Sequence, residues 1–173
     1  MILPDHAIIK LCKHENKYRR LPALMIQPFN LCQLNPASYD VTIAGDIIRE
    51  DGELKHETVI KISPGEFILA CTIEIFNIPD DIVAQFALKS TIARMGIEHS
   101  MAGFCDPGWH GSALTMELKN NLQYSALNIP VGTVIGQMVF MRMESKPDKT
   151  YRQTGQYNDC RTVKGPGKTR VYK

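Results

Sequence analysis

The chain has 173 residues, of which 44% are hydrophobic and 22% charged, with 12 glycines, 10 prolines and a formal net charge of +2. That length suits one domain able to bury a core without disulfides or a structural metal, residues 1–173 with a basic tail over 146–173. The charge balance is too even for a nucleic-acid or membrane-surface binder, and no apolar run reaches the length of a transmembrane helix.

In chain order, "DHAIIKLCKH" places Ile8, Ile9, Leu11 and Cys12 at near-helical spacing behind Pro4 and Asp5, so a short N-terminal helix is expected. The pattern then changes to strands. "SYDVTIAGDIIRE", "KHETVIKI", "FILACTIEIF", "IVAQFAL", "ALTMELKN", "YSALNI" and "VIGQMVFMRME" are short alternating or β-branched runs. Turns rich in Gly, Pro and Asp separate them: "EDGE", "SPGE", "NIPDD", "DPGWHG" and "PVG". Seven or more short strands at that spacing predict an all-β sandwich or barrel. One stretch interrupts them. "LKSTIARMG" has Ser and Thr at a start position, Ala and Arg inside and Gly just beyond, which predicts a helical turn between strands. From Lys146 to Lys173 eight Lys or Arg stand against two Asp, a pattern that fits a solvated end or a segment closing over an anion. The five cysteines are scattered, odd in number and form no C-x-x-C pair, and the opening shows no basic leader before an apolar run. A reduced, cytoplasmic setting is expected.

Three stretches carry side chains with chemical potential. Ser90 and Arg94 are four apart and share a helical face, with Lys89 just before them. They fit an anion-binding cluster, and equally a capped turn facing solvent. In "CDPGWHG", Asp106 suits contact with a sugar hydroxyl or activation of a water beside the flat face of Trp109, although Asp-Pro-Gly is also ordinary turn grammar. In "SALTMELKNN", alternation puts Leu114, Met116 and Leu118 on one face and Thr115, Glu117 and Lys119 on the other. Glu117 is then either a solvated strand residue or a general base in a cleft. His6, His14, His56, His99 and His110 form no H-E-x-x-H and no zinc-deaminase signature, and the glycines form no phosphate loop.

Taken together, these stretches resemble the dCTP deaminase branch of the dUTPase-like superfamily. "KSTIARMG" is similar to its Arg-Ser-Ser-x-Ala-Arg-x-Gly motif, "DPGW" to its Asp-Pro-Gly-Trp turn and "MELKN" to its Leu-Glu-x-x-Asn strand. "MILPDHAIIK", "LNPASYDVTIAG", "SPGEFILACTIE" and "IGQMVF" match further motifs in the same order, over about 140 residues in all.

The resemblance implies a distorted β-barrel with a short N-terminal helix, assembled as a homotrimer with active sites where subunits meet. It implies zinc-free hydrolytic deamination of dCTP to dUTP and ammonia, with magnesium carried by the triphosphate and no metal ligand from the protein. Glu117 becomes the catalytic carboxylate, with Ser90 and Arg94 holding the water and stabilising charge. Lys89, Ser90, Thr91, Arg94, Asp106, Trp109, Thr115, Met116, Tyr151 and Gln156 become substrate contacts, with dCTP as substrate and dUTP and dTTP as further nucleotides. Two departures stand out. Lys89 replaces the usual arginine, and "TGQYNDC" has Gln156 and Cys160 where the family's tail has Lys and Gln, which leaves Lys164 or Lys168 to compensate. Rival readings are a bifunctional enzyme that continues to dUMP, a dUTPase acting through Asp106, and a non-catalytic nucleotide-binding trimer; an apolar residue is usual in dUTPases where Glu117 stands.

Overall fold

The computed structural model describes residues 1–12 and 24–169; His14 and residues 170–173 of the basic tail lie outside the described residues. In chain order come α1 (Asp5–Cys12), β1 (Ile26–Gln27), a 3-10 turn (Leu31–Gln33), β2 (Leu34–Asn35), β3 (Ser38–Ile48), β4 (Leu54–His56), β5 (Val59–Ile62) and β6 (Phe67–Asn77). They are followed by β7 (Ile82–Leu88), α2 (Ser90–Arg94), β8 (Ile97–Glu98), β9 (Phe104–Cys105), β10 (His110–Asn120), β11 (Leu127–Pro130), β12 (Val134–Arg142) and α3 (Tyr151–Thr154). The all-β architecture expected from the alternating runs is present. Among the described residues no helix is long and apolar enough to cross a membrane.

The main sheet runs β8-β10-β6-β3-β12-β7-β9, and its pairings are antiparallel. It curls because β3 serves two neighbourhoods. Residues 39–42 of β3 pair with β12, whereas Ile43, Ile47 and Ile48 pair with β6, with a register irregularity between Ile43 and Ile47. The closing face buries Tyr39, Val41, Ile43 and Ile47 from β3, Ile68, Ala70 and Phe76 from β6, and Met138 and Phe140 from β12. These are every second residue along each strand, as a pleated sheet with one face in the core requires.

One strand divides. "KHETVIKI" splits into β4, which pairs with β3, and β5, which pairs with β11 in a separate two-stranded sheet. The break lies where Glu57 N–H donates to Gly45 O at 2.9 Å. A side chain on Gly45 would meet Glu57 O at 2.5 Å, so only glycine admits that approach. The helical turn is α2, with Ser90 as its first residue; Lys89 occupies the cap position and makes no side-chain cap bond. It ends at Gly96, whose φ of +98° suits glycine at a helix C-terminus.

β10 and the tail position the site. Between Ala113 and Thr115 the pairing of β10 with β6 slips, which removes Leu114 N–H from the ladder. The buried Thr72 hydroxyl accepts that N–H at 3.0 Å. At the far end the fully buried Asn120 donates to Ile62 O and Ser125 O and accepts from Leu122 N–H, which fixes the strand three residues beyond Glu117. The described part of the tail is docked rather than frayed. Ala113 N–H donates to Cys160 O, Cys160 N–H to Ser112 Oγ, and Lys164 N–H to Thr115 Oγ1. Val163 packs with Cys71 and Ala113 on the sheet face opposite the main core.

Candidate active site

Between that face and the docked tail lies a cavity of about 550 Å³, within the range of sites that enclose a small ligand. Its floor comes from alternation. Thr115 and Glu117 of β10 project to this side while Met116 and Leu118 enter the core. Leu69 of β6, directly opposite Glu117, and Phe67 line the same floor.

The second wall is the "CDPGW" turn. Trp109 N–H donates to Asp106 O at 3.2 Å, and Gly108 at φ +86° supplies the positive dihedral that a Pro-Gly turn of this kind needs. Asp106 is exposed and lines the cavity. Trp109 stacks on Phe76 at 5.9 Å between ring centres, and its indole N–H donates to Tyr157 O at 2.9 Å. The turn is thereby tied both to the core and to the tail. The third wall is the tail itself: Tyr151, Tyr157, Cys160, Lys164, Gly165 and Pro166. α3 is held by a capping box between Thr150 and Gln153, and Tyr151 N–H donates to Pro107 O at 2.8 Å.

Electrostatics distinguish Glu117. It is half-buried among apolar neighbours, and desolvation raises its pKa above the ordinary 4.5, opposed only by a hydrogen bond with its own backbone. A carboxyl group moved toward neutrality and exposed to a cavity can take and return protons. Burial likewise raises the Tyr151 phenol. Cys105 is nearly enclosed, and burial followed by the charge of Asp106 pushes its thiol up to about 12, so it remains a protonated apolar wall.

The structure therefore gathers five of the sequence-predicted residues around one cavity: Asp106, Trp109, Thr115, Glu117 and Tyr151. The others sit elsewhere. Met116 is 1% exposed in the core beneath the floor. Gln156 is turned to the tail, accepting from Lys168 N–H at 3.1 Å and donating to Lys168 O at 3.4 Å. Lys89 pairs with Asp40 at 2.8 Å. Ser90, Thr91 and Arg94 are exposed on α2 and do not line the cavity of their own chain. Phe104 and Tyr157 were missed as wall residues, Cys160 was noted only as a departure in the tail, and Lys164 was named only as one of two lysines able to compensate for it. Among the described residues no three His, Cys, Asp or Glu side chains come together as a metal-binding group.

Comparison with known proteins gives the family and the fold. A family model described as dCTP deaminase-like matches residues 2–143. A protein named dCTP deaminase, dUMP-forming, from Pseudarthrobacter chlorophenolicus is 32% identical over 169 residues, covering 86% of this chain and 87% of that protein. A dCTP deaminase from Pyrococcus horikoshii is 34% identical over 161 residues, covering 87% and 88%. The fold is similar to that of 2'-deoxycytidine 5'-triphosphate deaminase from Agrobacterium tumefaciens, with a TM-score of 0.62 and 17% identity over 80% of this chain and 47% of that one. It is also similar to a mutant dUTPase from phage phi11 of S. aureus, whose structure was described for a structural Mg(II) ion. That TM-score is 0.52, at 19% identity over 71% of this chain and 87% of that one.

Proposed function

Because the chain belongs to the dCTP deaminase-like family, we propose that it hydrolyses the C4 amine of dCTP, using Glu117 as proton carrier. The observation that carries this reading is a half-buried carboxyl group of raised pKa in a cavity of nucleotide size. Glu117 takes a proton from water as its oxygen attacks C4, and delivers protons to the ring nitrogen and the departing amine. One water enters and one ammonia leaves. Fixed donors around the tetrahedral centre are worth roughly 3 kcal/mol each in such sites, a role assigned to Ser90 and Arg94.

Those two residues lie outside their own chain's cavity, so the reading requires a homotrimer in which α2 of one subunit completes the cavity of the next. Their exposure, together with the Met95 side chain beside them, supports that arrangement. Within the cavity, Asp106 contacts the deoxyribose, Thr115 flanks the base, and Trp109 and Tyr151 shape the apolar wall. Magnesium suits this donor set as a counterion held by phosphate oxygens and water; when bound it neutralises phosphate charge. No zinc takes part in the proposed chemistry.

A second reading has a specific observation in its favour: Asp106 and Glu117 line the same cavity. With Asp106 activating a second water, dUTP would be cleaved between the α and β phosphates to dUMP and pyrophosphate; the name of the Pseudarthrobacter relative gives dUMP as that protein's product. Incubation with dCTP and magnesium, followed by anion-exchange analysis, tests both readings. Ammonia with dUTP indicates deamination alone, and ammonia with dUMP and pyrophosphate the two-step enzyme. Unchanged dCTP contradicts both.

A further inference from the structure

We propose that Lys164 is a substrate-binding residue whose ammonium group receives the phosphate chain of the nucleotide at the cavity mouth. The assignment rests on the proposed function and adds to it a contact that the matched family span, residues 2–143, does not contain. Among the described residues lining the cavity, Lys164 is the one cation, and the other charged members are Asp106 and Glu117. A polyanion entering a cleft with two carboxylates needs a cation at its own end.

The position of Lys164 is fixed from both sides. Its N–H donates to Thr115 Oγ1 at 3.1 Å, two residues from Glu117 along β10, and the preceding Val163 is buried against Cys71 and Ala113. Beyond it, Gly167 N–H donates to the Tyr157 hydroxyl at 2.7 Å, and Lys168 is bonded through both backbone groups to Gln156. The segment from Lys164 to Lys168 is therefore a closed loop at the mouth, its main chain held while the Lys164 side chain is exposed. Among the described residues no ion pair includes Lys164. Gln156, by contrast, has its amide engaged by Lys168 and stands outside the lining. The anion contact thus moves eight residues along the tail, from a position that carries no charge to one that does.

Binding of dCTP, dCMP and deoxycytidine, measured by calorimetry with magnesium present, tests the assignment. Lys164→Ala should weaken dCTP binding by about tenfold to a hundredfold, the range for losing a charge-assisted contact, while deoxycytidine affinity stays within about twofold. Lys164→Arg should restore most of the dCTP affinity. Arg161→Ala, which removes a tail cation outside the lining, should leave all three ligands unaffected. Equal dCTP affinity for wild type and Lys164→Ala overturns the assignment and leaves the deaminase reading standing. An equal loss for all three ligands overturns it too, since it assigns Lys164 to tail packing. Wild-type protein that binds none of them overturns the functional reading and this assignment with it.

Discussion

Replacing Glu117 by glutamine removes one proton-carrying group while keeping the size of a side chain that lies half-buried between Leu69 and the tail. General acid–base groups contribute about 10²- to 10⁴-fold to rate, so the barrier should rise by about 3–5 kcal/mol and ammonia release should fall accordingly. Dissociation constants for dCTP should stay within about threefold, because a neutral isostere preserves the floor of the cavity. The pH dependence gives an independent check. Burial raises the Glu117 pKa above 4.5, so the acidic limb of kcat/KM should lie above that value in wild type. The same shift has a stability sign. The unfolded chain releases this proton at lower pH than the folded one, so stability falls as pH rises through the interval between the two pKa values. Glu117→Gln should therefore melt at higher temperature than wild type at pH 7, with the difference vanishing below pH 4.5. Ammonia release within tenfold of wild type by Glu117→Gln, followed in a coupled glutamate dehydrogenase assay, would refute the assignment.

Other predictions concern what holds the cavity together. Ser112 is fully buried, and its hydroxyl accepts from Cys160 N–H at 3.1 Å and lies 2.8 Å from Tyr157 O. Ser112→Ala should cost roughly 1–3 kcal/mol in denaturant unfolding and speed hydrogen exchange at Cys160. Asp46 accepts from Thr162 Oγ1 at 2.6 Å and contacts His56 Nδ1 at 2.7 Å; these bonds, Thr162's first, lower its pKa below 3.8. A depressed carboxylate stabilises above the unfolded pKa and loses that contribution as pH falls through the folded one. Tail proteolysis should therefore increase on acidification in wild type, whereas Asp46→Ala should be cleaved faster at neutral pH with less dependence on pH. An unchanged cleavage profile in Asp46→Ala would show that the tail is held without this contact. Arg94→Ala should lower kcat and dCTP affinity together although Arg94 is outside its own cavity, and unchanged kinetics would remove α2 from the site.

The long strands were legible because a half-buried strand must alternate: β3 does so from Tyr39 to Ile48, β10 from Leu114 to Asn120, and β6 and β12 over parts of their length. Glu117 could be placed on the face opposite Met116 for the same reason. Two-residue strands such as β8 and β9 leave no period to read, and they are fixed by partners distant in sequence. The division of "KHETVIKI" depended on the bare backbone of Gly45, which composition does not reveal. The tail was the largest gap. Its docking uses main-chain N–H groups, the Ser112 and Thr115 hydroxyls and one buried valine, so its charge run described the exposed side chains and said little of where the chain goes. Met116, next to Glu117 in sequence, places its side chain on the opposite face of the sheet.

Subunit complementation tests most directly whether catalysis joins Glu117 of one chain to α2 of its neighbour. Glu117→Gln and Arg94→Ala chains, each deficient alone, are unfolded together in equal amounts and refolded. Random trimers then pair an intact Glu117 with an intact neighbouring Arg94 in about one quarter of sites, so the mixture should recover about a quarter of wild-type ammonia release. Activity no higher than the mean of the two separate variants would contradict a shared site.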